Sequence, residues 1–244
     1  MIASYILILI AGLVAGCLSG IIGTGASIIM LPVLVPIFDA AHAVPIMAIA
    51  GLMGNLGRVA VWHRHVDWKA VAAYCATSVP AAALGAMTLV TLPDGLADAL
   101  LGGFLVLLVP ARHGLERRRI RVRLWHLGVV GAIVGYLTGI FLSTGPLSVP
   151  AFLSYGLSGG GFISTEAAAS MITQIGKIAS FGELGVLSGE VVLHGLLVGF
   201  SLMGGTFLSK QFVLKLGSRN FRLIMDVVTL LAGTWLLFLA ALHI

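Results

Sequence analysis

The chain alternates long apolar runs with short polar or glycine-rich breaks, and the lengths of those runs predict its elements. A helix needs about 20 apolar residues to cross a hydrocarbon core of ~30 Å. Runs of that order cover 4–23, 44–62, 70–91, 96–110, 124–142, 163–182, 191–209 and 223–243, which predicts eight long helical segments. Two further runs, 28–38 and 146–156, are 11 residues each and too short to span. Each follows a long segment across small residues, Gly23-Thr24-Gly25-Ala26-Ser27 in the first case and Ser143-Thr144-Gly145-Pro146 in the second. The pattern predicts two broken or re-entrant helix hairpins, 4–38 and 124–156.

An internal repeat relates the two hairpins. Gly16, Gly20 and Ala50 recur as Gly135, Gly139 and Ala169 at an offset of 119. At the same offset Asn55-Leu56-Gly57-Arg58 meets Gln174-Ile175-Gly176-Lys177, so an amide followed three residues later by a cation occurs in both halves. Pro32 and Pro150 stand close to the same relation. The chain therefore divides into 1–112 (hairpin 4–38, spans 44–62, 70–91 and 96–110) and 124–244 (hairpin 124–156, spans 163–182, 191–209 and 223–243). A basic linker, 113–123, joins them.

Composition settles the solvent. The chain is 59% hydrophobic and 9% charged, with a mean hydropathy of +1.10; soluble domains carry about a quarter charged residues. Such a chain could not cover a water-facing surface, which excludes most soluble-enzyme classes. The net charge of +5 and pI near 9.6 do not imply a nucleic-acid partner, because in a membrane protein the placement of Lys and Arg reports orientation. Thirty-two glycines in 244 residues are about twice the usual ~7% and imply close helix packing or backbone exposed to a ligand. Cys17 and Cys75 lie in apolar runs and form neither a disulfide framework nor a metal site. The first apolar run lacks a basic leader and is too long for a secretory signal, so it is expected to be a mature membrane segment.

Charge placement selects between two topologies. If each broken segment crosses fully, Arg64, Lys69 and the six arginines from Arg112 to Arg123 lie on one side, and Lys210, Lys215, Arg219 and Arg222 on the other, 8 against 4. If each is a re-entrant hairpin, all 12 share one side, and the opposite side carries Asp39, Asp94, Glu183 and Glu190. The positive-inside rule prefers 12 against 0. The expected fold is thus an all-α integral membrane protein of two inverted repeats, each a hairpin plus three spans. Its basic loops face the cytoplasm and both termini the periplasm. Inverted repeats with broken helices are a recurring plan of secondary transporters, whose substrate sites lie at the breaks near the midplane.

Non-helical backbone at membrane depth must be buried in protein or line a watery cavity. The two breaks are therefore expected to face a cavity, with hydroxyl residues near the helix starts and free N–H groups turned toward an anion. Arg58 and Lys177 are the two cations inside spans, where a charge costs at least ~2.5–3.5 kcal/mol near the centre. Each lies about a turn from its span end, so snorkelling to an interface competes with a functional role. An amide and a cation at i and i+3 share a helix face and can direct donors at one oxyanion. Glu166 and Asp226, near span ends, are expected to be solvated or paired with a neighbour. His42, His63, His65 and His126 show no metal-ligand spacing. No nucleophile and base constellation appears, and Gly23 to Gly25 lack the context of a dinucleotide site, so neither enzyme activity, metal nor cofactor is expected. The small-residue face Gly51, Gly54, Gly57 suits either internal packing or a homodimer contact.

These residues resemble the sulfite exporter TauE/SafE family of bacterial membrane permeases. The likeness rests on Gly12-x3-Gly16-x3-Gly20-x2-Gly23-Thr24-Gly25 followed by Pro32, then Ala50 and Asn55, with a degenerate echo at Gly135, Gly139, Thr144-Gly145 and Pro150. The resemblance implies export of small sulfur-containing anions such as sulfite, sulfoacetate or related C2 sulfonates across the bacterial inner membrane. By position it implicates Thr24, Gly25, Ser27 and Asn55, with Ser143, Thr144, Gln174 and Lys177 in the second half; the amide and cation pattern adds Arg58. Where the commonest family form has a run of glycines, this chain has Ala26 and Ser27, which would narrow the cavity and add a hydroxyl. The alternatives are an uptake permease for organosulfur or carboxylate anions, an anion channel, and a Cys17-dependent membrane sulfur relay.

Overall fold

A computed structural model of the chain describes residues 2–22, 26–117, 122–141, 145–212, 226–227, 229–231, 233–238 and 241. It is all-helical, with no strand among the described residues. The elements are α1 (Ile2–Ile22), α2 (Ala26–Trp62), a 3₁₀ turn (His63–His65), α3 (Trp68–Thr91), α4 (Asp94–Arg117), α5 (Leu124–Ile140), α6 (Gly145–Tyr155), α7 (Gly159–Glu183) and α8 (Gly189–Phe212). Residues 233–238 are helical as well; the rest of the last expected span, 223–243, lies largely outside the described residues.

Three helical stretches are long and apolar enough to cross a membrane: His42–Ala60, Trp68–Thr91 and Gly189–Leu208. Ile6–Cys17, Ala99–Ala111 and Leu124–Ile140 are shorter apolar helices. The 25 residues of α7 reach ~37 Å, but its mean hydropathy is lowered by Glu166, Gln174 and Lys177. All three are buried, so protein rather than lipid meets them. Leu84, Ile133 and Phe200, by contrast, are more than half exposed, apolar surface of the kind that lipid covers.

The first short apolar run is the start of α2. Helical geometry from Ala26 to Trp62 fails at one residue, Asp39, with φ 62° and ψ 171°. The Asp39 carboxylate accepts from the His42 backbone N–H at 2.9 Å, the contact of an N-cap on the limb that follows. The sequence pattern leaves 39–43 between two apolar runs as a connection; one capping residue replaces it. The second short run is α6, whose 11 residues extend ~16 Å, about half the hydrocarbon thickness.

Contacts fix the helix directions. Ser201 Oγ donates to the Leu9 carbonyl (2.6 Å) and Thr206 Oγ1 to that of Gly16 (3.3 Å), so α1 and α8 run parallel. Gly131, Gly135 and Gly139 face Tyr74, Ser78 and Ala82 in turn, so α3 and α5 are parallel too. A Cβ at Gly135 would stand 2.5 Å from the Ser78 carbonyl oxygen, which makes glycine a condition of this approach. Gly195 meets Ile49 and Gly199 meets Met53, so the second limb of α2 runs parallel to α8. Against α7 the same limb is antiparallel: Arg58 meets Glu166, while Gly51 meets Gln174. A second antiparallel crossing brings α4 onto 233–238, with Gly102 near Leu237 and Gly233 near Val106.

These contacts interleave the sequence halves. The glycine-striped helix of each half, α1 or α5, lies on a helix of the other, α8 or α3. One apolar core gathers side chains mainly of α1, α2, α4 and α8, joined by Ala86 and Leu89 of α3, Phe181 of α7 and Leu236, and a second those of α3, α5, α6 and α7.

Candidate functional site

The crossing of the second limb of α2 with α7 concentrates the buried polar groups. Asn55 is buried on α2, and its side-chain oxygen accepts from the Arg58 guanidinium one turn on. Arg58 also reaches Glu166 on α7, with Nη1 to Oε2 at 3.4 Å. The Arg58 side chain is 15% exposed and that of Glu166 3%. Ser170 Oγ donates to the other Glu166 oxygen at 2.9 Å. The ion pair lies near the short connection from α2 to α3, where the Asp67 N–H donates to Thr165 Oγ1 at 2.9 Å. Asp67 itself caps α3, accepting from the N–H groups of Lys69 and Ala70.

Further along α7 the environment changes. Lys177 has no exposed surface; Nζ donates to the Thr138 carbonyl of α5 at 2.5 Å and stands 5.5 Å from the Phe181 ring centre. No carboxylate pairs with it among the described residues. One turn before it, Gln174 is buried against Gly51, and its side-chain oxygen has no hydrogen-bond partner among the described residues. Ser78 and Thr173 share a hydrogen bond of 2.7 Å, and the Cys75 thiol donates to the Ala169 carbonyl at 3.5 Å, extending the polar seam toward α3.

The expected site residues are thus partly assembled. Asn55 and Arg58 join each other, and Gln174 and Lys177 lie on the same helix beyond them. The two cations do not share one contact set: Glu166, which holds Arg58, and Lys177 are 11 residues apart on α7, ~16 Å along its axis. Lys177 does not snorkel, since it is fully buried. Ser27 lies half-buried in the first turn of α2. Thr24, Gly25, Ser143 and Thr144 lie outside the described residues.

Of the two expectations for Glu166, solvated or paired with a neighbour, the structure shows the second: Arg58 pairs with it, and α2 lies across the first turns of α7 and covers it. A carboxylate at i−4 from a serine and eight residues before an amide in the same run was the available signal. Asp226 is also paired, 3.5 Å from the His113 ring. Cys17 is part-buried on α1, with its backbone against Gly205. Gly51 of the small-residue face is used internally by Gln174, whereas Gly54 and Gly57 have nothing within 4 Å of an added Cβ. Among the described residues no cluster of three His, Cys, Asp or Glu side chains could hold a metal.

Lys177, a buried cation with no carboxylate partner among the described residues, can accept a small oxyanion through its ammonium. No curated protein and no solved structure matched the chain. The family model described as Sulfite exporter TauE/SafE matches residues 8–236 of the 244. Helices apolar enough to span a bilayer, buried polar groups between them and a match over nearly the whole length agree: the chain belongs to the sulfite exporter TauE/SafE family, a family of membrane transporters.

Proposed function

We propose that the protein exports small sulfur-containing anions, namely sulfite, sulfoacetate or related C2 sulfonates, from the cytoplasm through a midplane site at the crossing of α2 and α7. The observation that carries this is Lys177, a fully buried ammonium with no carboxylate partner among the described residues. An isolated buried charge is costly, and a bound anion offsets that cost. Gln174, Asn55 and Arg58 add polar groups along the crossing. Thr24, Gly25, Ser27, Ser143 and Thr144 supply donors from the two breaks.

The two halves, 1–112 and 124–244, act in this proposal as inverted repeats about the crossing. Support comes from the directions of the helices. The second limb of α2 is antiparallel to α7 and parallel to α8 and α1, so the first limb of α2 returns between two helices that run the same way. Had the broken segment crossed fully, α1 and that second limb would run oppositely. The basic loops then lie in the cytoplasm, and both termini in the periplasm of the inner membrane. Export needs no coupling ion: with a negative interior, each negative charge leaving gains ~2.3 kcal/mol per 100 mV.

The test is a screen of sulfite, sulfate, sulfoacetate, taurine and chloride on the purified protein in proteoliposomes. Saturable, electrogenic flux of a sulfur anion is expected. No binding or flux of any of them would overturn the assignment, and flux linear in concentration would make the protein a channel.

A further inference from the structure

The internal repeat provides two matched pairs of amide and cation, and their hydrogen bonds differ. On α2 the Asn55 side-chain oxygen accepts from Arg58, so amide and cation satisfy each other within one turn. On α7 the pair is parted. Lys177 Nζ turns to the Thr138 carbonyl of α5, and Gln174 Oε1 is buried with no hydrogen-bond partner among the described residues. The nitrogen end of that amide is the one turned to Gly51, 3.1 Å from where a Cβ would stand. Gln174 is 8% exposed and Lys177 0%; they stand one turn, ~4.5 Å, apart along α7 and share a face of it. A buried carbonyl oxygen without a donor carries its full desolvation cost, and native structures seldom leave one so.

The chemistry of the two groups defines what fits between them. An ammonium has three N–H donors, and among the described residues Lys177 gives one to Thr138. An amide oxygen accepts only, so against the bare oxygen of an anion it stays unpaired and is repelled. A fully deprotonated oxyanion answers Lys177 and leaves Gln174 Oε1 unpaired; an anion that carries its own O–H or N–H answers both.

We propose that Gln174 reads a hydrogen-bond donor on the substrate: a sulfur oxyanion places its negative oxygens at the Lys177 ammonium and donates an O–H or N–H of its own to Gln174 Oε1. This rests on the anion site proposed above and ranks the substrates within it. Hydrogen sulfite and C2 sulfonates with a hydroxyl or amino group on the second carbon carry such a donor. Fully deprotonated sulfite and sulfoacetate lack it and bind as weaker ligands of the same site.

The experiment is equilibrium binding to the full-length protein in nanodiscs at one fixed pH. The probes are 2-hydroxyethanesulfonate, ethanesulfonate and 2-methoxyethanesulfonate. All carry the same single charge; the first can donate, the second offers no further polar group, and the third can only accept. Wild type is expected to bind the hydroxy compound about tenfold more tightly than either of the others, the scale set by one buried acceptor left unpaired. Gln174→Met removes the acceptor at similar volume and should bring the three affinities to within about twofold, chiefly by weakening the first. Lys177→Met should instead weaken all three together. Equal binding of the three probes by wild type overturns the proposal. So does a methoxy compound bound as tightly as the hydroxy one, since the amide would then be presenting its NH₂, and so does a preference that survives Gln174→Met. The wild-type comparison needs no variant, so it decides even where Gln174→Met does not fold. A wild-type protein that binds none of the probes, nor sulfite, refutes the anion site itself; binding without preference refutes only the role of Gln174.

Discussion

A lysine fully enclosed by helices works against folding and, on the proposed function, for binding. Among the described residues its ammonium keeps one hydrogen bond, to the Thr138 carbonyl, and a ring contact with Phe181. Replacing a buried charge that has no ionic partner with an apolar residue of similar size is often neutral or stabilising. Lys177→Met should therefore leave the thermal midpoint unchanged or raised. Anion affinity should fall about 10- to 100-fold, the loss of one charge-assisted contact worth ~1.5–3 kcal/mol. Differential scanning fluorimetry with and without sulfite reads both; a destabilised protein with intact binding would refute the assignment. Arg58→Ala has the opposite stability sign, because it leaves Glu166 buried without its partner, at a cost of ~3–5 kcal/mol. At this scale Asn55, Arg58, Gln174 and Lys177 were legible because a repeat marks equivalent positions without any coordinates. Glu166 was not, since its burial depends on which helix lies over it.

The helices themselves were largely legible. Apolar run lengths located α1, α3, α5, α7 and α8 to within a few residues, α4 continues to Arg117 past the expected end at 110, and the two short runs became the first limb of α2 and α6. Run length cannot reveal how two limbs join, and at Asp39 a side chain caps where a loop was expected. Asp39→Ala removes that cap and leaves an alanine at positive φ, which should lower stability by ~1–2 kcal/mol; a midpoint equal to wild type would contradict the capping role. The glycine stripe of α5 makes a sharper case. At Gly135 an added side chain meets the Ser78 carbonyl directly, and backbone gives way less readily than a side chain. Gly135→Leu should abolish the monodisperse species in size-exclusion chromatography, whereas Gly103→Leu, with nothing within 4 Å, should not.

For the molecule as a whole, helix direction carries the most consequence. On the proposed topology a cytoplasm-active reporter fused after Ile244 gives little signal, and strong activity there would refute the paired hairpins. Uniport export implies that an inside-negative potential accelerates efflux of an anion; a potassium-diffusion potential across proteoliposomes tests this, and voltage-independent efflux counts against uniport. Solvent and helical class follow from the order of residues alone, because bilayer thickness imposes its length on any apolar run that must cross it. Neighbourhood does not follow. Several helices share the same glycine spacing and the same apolarity, so nothing local says that α1 lies on α8 and α5 on α3. Those pairings depend on which backbones approach closely once all the helices are present. They also determine that one matched cation is answered by a carboxylate from across the crossing while the other has none among the described residues.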